Sequence, residues 1–129
     1  MKQSTFKEKY PVWTLELQKS EVKQNSVAEI INYFKEKIEA HPVATYIATF
    51  EHYAHTKSIP DAKINPEIKD AQNIIFCFGK EIPTTKVVAV RPRSIGVCEL
   101  ENSFIIEFME APNEQGHKTM EEWTKALKC

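Results

Sequence analysis

Arg91 and Arg93 are the only arginines among the chain's 17 basic residues; all the others are lysines. Both lie in Arg91-Pro92-Arg93. Proline biases the preceding residue toward extended backbone, and side chains two apart on extended chain leave from the same side. Two guanidinium forks side by side suit a carboxylate or phosphate, which lysine would hold only as a point charge. The pair is therefore expected to bind a small anion. The plainer alternative is a solvated sheet corner, or a pair that holds Glu99 or Glu101. Lys80 follows Gly79 at the end of an apolar run. It lacks the glycine-rich loop and helix start of a phosphate site, but would add charge to the arginines if the strand ends meet.

A second candidate is Glu51-His52-Tyr53-Ala54-His55. On a helix the two histidines share a face and suit a metal; on a strand their odd separation sends them to opposite faces. The strand reading adopted below weakens the metal motif, so no metal or other cofactor is expected. His52 then joins Tyr46 and Phe50. It is open to three roles: hydrogen-bond donor to an anion, axial ligand to a haem whose propionates meet the arginines, or general acid/base. A core-edge histidine with one hydrogen bond is the structural alternative. Cys77 and Cys98 sit in apolar runs and read as small buried hydrophobes, while Cys129 ends the chain. No Cys-x-x-Cys, Gly-x-Ser-x-Gly or Gly-x-Gly-x-x-Gly occurs.

These residues must be held by a small number of elements. Trp13, Leu15 and Leu17 alternate with polar residues from Val12 to Gln18, which predicts a half-buried strand beginning after Pro11. Ser26 and Glu29 form a capping box, and Val27, Ile30, Ile31, Phe34 and Ile38 make one helical stripe ended by His41-Pro42. Val43 to His55 could carry a helical stripe, but its alternating β-branched residues favour a strand. A short helical turn is expected at Pro66 to Ala71. Further strands are expected at Ile74 to Phe78, Lys86 to Val90, Ile95 to Leu100 and Phe104 to Met109, with a turn at Glu101-Asn102-Ser103. A last helix is expected from a second capping box, Thr119 and Glu122, with Met120, Trp123, Thr124 and Leu127 as its stripe. The order β-α-β-β-β-β-β-α predicts an α+β fold: a mostly antiparallel sheet of five or six strands with two helices on one face.

The 129 residues predict one domain, 1–129, with 42% hydrophobic and 27% charged residues in the globular range. A formal charge of −1 argues against nucleic acid held by bulk electrostatics. No apolar run is long enough for a membrane span, and Met1-Lys2-Gln3-Ser4 does not read as a signal peptide. Three unclustered cysteines suit reduced thiols, and a cytoplasmic location is expected.

Four segments resemble a family: Glu51-His52-Tyr53-Ala54, Phe78-Gly79, Arg91-Pro92-Arg93 and Glu107-Phe108-Met109-Glu110-Ala111-Pro112. In this order after a first helix they resemble the small bacterial domain-of-unknown-function family numbered three hundred and two. The resemblance implies a sheet with helices, puts the His52 and arginine segments on neighbouring strand ends, and implies no activity. Three functions follow from the residues. The first is a non-enzymatic module binding a small anion through Arg91, Arg93, Lys80 and His52. The second is a homodimeric interaction domain that pairs through its sheet face or edge, with Phe104, Ile106 and Phe108 on one face of the last strand supplying apolar area. The third is an enzyme with His52 as acid/base beside Glu51 or Glu107.

Overall fold

The alternation of Trp13, Leu15 and Leu17 belongs to β2 (Tyr10–Gln18), which pairs antiparallel with β1 (Lys2–Phe6), an edge strand whose residues are all exposed. A computed structural model describes residues 1–129. The remaining strands are β3 (Ala44–Phe50), β4 (Asp70–Phe78), β5 (Arg93–Glu99) and β6 (Ser103–Met109). All six form one antiparallel sheet in the order β1-β2-β6-β5-β4-β3. The expected α+β architecture is present.

Two long helices cover one face of this sheet. In α1 (Val27–Ala40) the Ser26 Oγ accepts the Glu29 amide at 3.1 Å, and Val27, Ile30, Ile31, Phe34 and Ile38 are buried. The capping box and apolar stripe thus do what their spacing predicts. The second, α4 (Glu114–Lys125), buries Met120 and Thr124 and lays Trp123 against Phe76 and Phe78. Tyr33 of α1 donates to the Trp123 carbonyl at 2.7 Å, tying the helices together. Beneath them lie Leu17, Ile74, Phe76, Ile95, Val97, Phe104, Ile106 and Phe108. Phe104, Ile106 and Phe108 are therefore core side chains, and the homodimer surface expected from them does not exist.

Register assigns every site residue to a face. Phe76 pairs with Arg93 and Ile74 with Ile95, so Arg93 starts on the helix-covered face. Asn73 pairs with Gly96 and stands on the other face. A bulge between Tyr46 and Ala48 keeps Tyr46 with Phe76 while placing Phe50 opposite Asn73.

Several segments depart from the sequence expectation. The strand expected from Val43 to His55 stops at Phe50, and α2 (His52–Lys57) follows. The β-branched alternation ends at Thr49, and no β-branched residue recurs until Thr56. Residues 86 to 90 form α3 (Thr85–Val90), not a strand. Both edges of β4 and of β5 are taken, by each other and by β3 and β6, so the connection between them cannot pair as a strand beside either. A helix satisfies its own backbone despite the valines. Residues 66 and 67 make a turn, and Asp70 and Ala71 already belong to β4. The α4 helix starts six residues before Thr119, at the Asn113 cap. Thr119 is interior and donates back to the Gln115 carbonyl at 2.9 Å.

Candidate functional site

Lys80, Arg91 and Arg93 line one cleft of about 460 Å³ at an end of the sheet. Three connections build it: 79–92 between β4 and β5, His41 to Val43 between α1 and β3, and Ala111 to Gly116 leading into α4. Phe78, Val87 and Val90 supply much of the apolar wall. Glu81 is the one carboxylate among the lining residues, against the three cations.

Two of the chain's three glycines shape this cleft. Gly79 has φ +157°, and a Cβ there would stand 2.9 Å from the Arg91 Cζ and Nη1. Without that atom the guanidinium lies against the backbone, where its Nη1 donates to the Glu81 carbonyl at 2.9 Å. A Cβ on Gly116 would meet the Phe78 ring at 3.3 Å, so its absence lets the first turn of α4 close on Phe78. The Asn113 Oδ1 accepts the Gly116 amide at 3.0 Å and caps that turn.

Arg93 is half-buried. One Nη donates to the Met109 carbonyl, but its Nε is buried without a partner. Burial pushes the guanidinium pKa below its ordinary value, as desolvation of a cation must. Neither arginine forms an ion pair; those of the chain use lysines and His117. Glu99, offered as an internal partner, pairs with Lys19 at 2.6 Å instead.

His52 lies elsewhere. It is exposed on α2, and its Nδ1 meets the Asn73 Oδ1 at 2.9 Å on the sheet face opposite the helices. Asn73 in turn donates to the Ser94 Oγ at 3.1 Å. His52 and His55 both lean on the Phe50 ring, with centroids 4.9 and 5.4 Å away. The structure thus brings together Arg91, Arg93 and Lys80, and leaves His52 outside their cleft, bonded to a residue of the opposite sheet face. No group of three or more His, Cys, Asp or Glu side chains is placed to hold a metal. Burial and the nearby Glu107 and Asp70 push the Cys98 thiol pKa up, which disfavours a reactive thiolate.

Sequence reasoning did not select His41, which had served only to mark the end of α1. Its ring packs edge-on to Phe78 and Trp123, and its Nδ1 accepts the Val43 amide at 3.2 Å. With Nδ1 accepting, Nε2 is the ring nitrogen left to donate. The packing on Phe78 and Trp123 joins residues far apart in the chain and leaves no local signal. The Asn113 cap did carry a signal, in Pro112-Asn113-Glu114 ahead of the helix.

Fold and site together define an α+β protein with a cationic, mostly apolar cleft at one end of an antiparallel sheet. A family model described as a family of unknown function (DUF6858) matches residues 1–129, and the chain belongs to that family. This overturns the resemblance to the family numbered three hundred and two. The structure agrees with the correction: Arg91 follows a helix, and His52 begins one. No curated protein and no solved structure matches the chain. No helix is long and apolar enough to cross a membrane.

Proposed function

We propose that this protein is a module that binds a small anionic ligand in the cleft of Arg91, Arg93 and Lys80. The observation that carries it is Arg93: a half-buried guanidinium with an orphaned Nε, a depressed pKa and no carboxylate partner. A desolvated cation left unpaired destabilises the fold, and an incoming anion relieves that penalty. Arg91 supports the same reading, since only one of its nitrogens is occupied, and by a neutral carbonyl. Charge-assisted bonds from two forks would give the anion both affinity and orientation. His52 has no part in this site.

The test compares native and denatured masses of the protein as purified from cells, for the parent chain and for Arg91→Ala/Arg93→Ala. The parent is expected to retain a small organic anion that the double variant loses, with little change in thermal stability. Equal retention by the double variant, or no anion binding by the parent to any added carboxylate or phosphate, overturns the proposal.

A further inference from the structure

Resting on that anion-binding reading, we infer that the ligand is an amphiphilic monocarboxylate. Its single carboxylate sits on Arg91 and Arg93, and its apolar body lies along Phe78, Val87 and Val90. The polar groups around the cleft are the first reason. The Asn113 Oδ1 is held by the Gly116 amide, the Thr119 hydroxyl donates to the Gln115 carbonyl, and the His41 Nδ1 accepts the Val43 amide. With these atoms engaged inside the protein, the neutral polar groups left in the lining are the Gln115 side chain, the Asn113 Nδ2 and the His41 Nε2, too few for a body rich in hydroxyls and amides lying along the apolar wall. Such a ligand would bury polar groups unpaired.

The wall that remains is apolar and aromatic, and about 460 Å³ is room for a body of several carbons beyond the headgroup. Phe78 stacks on Trp123 at 5.7 Å and is closed in by Gly116, giving a firm surface against which a chain or ring can pack.

Charge decides the headgroup. Desolvation of an ion grows with the square of its charge, so a phosphate dianion loses far more on entering a half-buried apolar cleft than a carboxylate does. Each guanidinium has already given one donor to a backbone carbonyl, Glu81 for Arg91 and Met109 for Arg93. Eight of their ten N–H donors remain, set in planar forks that can take a flat carboxylate edge-on. A planar monoanion is also the partner a desolvated Arg93 can satisfy with least loss of hydration.

The experiment is calorimetric titration of the full chain with butanoate, hexanoate and octanoate, and with inorganic phosphate and hexyl phosphate. Tryptophan fluorescence, from Trp13 and Trp123 together, gives a second readout. Affinity is expected to rise by about fourfold per buried methylene, the equivalent of about 0.8 kcal/mol, until the cleft is filled. Hexanoate should bind more tightly than hexyl phosphate, and Arg91→Ala/Arg93→Ala should weaken octanoate at least tenfold. Tighter binding of either phosphate would overturn the carboxylate class while leaving the anion site standing. Affinity independent of chain length would remove the apolar body from the proposal, and that result needs no variant. Octanoate bound equally by the double variant would overturn the headgroup assignment, and no binding of any probe would overturn the anion site as well.

Discussion

A guanidinium taken out of water without a carboxylate to meet it is an arrangement a stable fold has little reason to keep, and Arg93 is in that arrangement. Its neighbour Arg91 is kept in the cleft by an absence: Gly79 has no Cβ, and the guanidinium occupies the space one would fill. Gly79→Ala should therefore act twice. At φ +157° an alanine is strained by about 1–3 kcal/mol, and its methyl drives the Arg91 guanidinium off its perch. Thermal melting together with octanoate titration should show a lower midpoint and at least tenfold weaker binding; parent affinity in Gly79→Ala would mean that Arg91 does not need this seat. The arginine pair was legible in the sequence because the residue type is scarce and the spacing simple. Gly79 and His41 were not, since each matters through a partner whose approach depends on the folded chain.

At the scale of elements, α4 sets one wall of the cleft and its start can be tested directly. Asn113→Ala removes the acceptor of the Gly116 amide and should lower stability by about 1 kcal/mol by urea denaturation. Thr119→Ala should have a smaller effect, because its hydroxyl only repeats a bond to a helix carbonyl. The capping-box pattern at Thr119 and Glu122 matched in spacing but fell inside the helix, a reminder that such a box is a start signal only where the preceding residues are not helical. The same helix carries an acid-sensitive pair. Lys125, bonded to Glu121 at 2.7 Å, and His117 nearby lower the Glu121 pKa below its ordinary value of 4.5. A depressed carboxylate stabilises the fold above its unfolded pKa, and that contribution is lost as pH falls through the folded value. Denaturation midpoints from pH 7 to pH 3 should thus fall less steeply for Glu121→Gln than for the parent chain. Equal local preference had unequal outcomes in two segments. The β-branched residues of 86–90 follow a strand whose two edges are both taken, and those of 43–49 pair with β4, so a like local preference ends in a helix in one place and a strand in the other.

Across the whole molecule, the class of fold was readable because strand alternation, the α1 stripe and the shortage of helices all pointed to an antiparallel sheet with one covered face. Which chemistry falls on which face was not. A bulge between Tyr46 and Ala48 and the helix that follows Phe50 decide where His52 goes; the bulge has no signature in residue type, and the helix has only the lapse of β-branched residues after Thr49. The outcome is a molecule with two separate polar centres: the cationic cleft at the end of the helix-covered side, and the His52–Asn73–Ser94 chain of hydrogen bonds on the other. The second centre joins α2 to β4 and β5, and its role on this geometry is to hold that helix down. His52→Ala should then lower stability by about 1 kcal/mol, the usual worth of such a bond. It should leave octanoate affinity within twofold of the parent, while Arg91→Ala/Arg93→Ala shows the converse, intact melting with binding lost. A loss of binding in His52→Ala comparable to the arginine variant would join the two centres through the sheet and would require a ligand in contact with both faces, which the register of β4 and β5 does not allow.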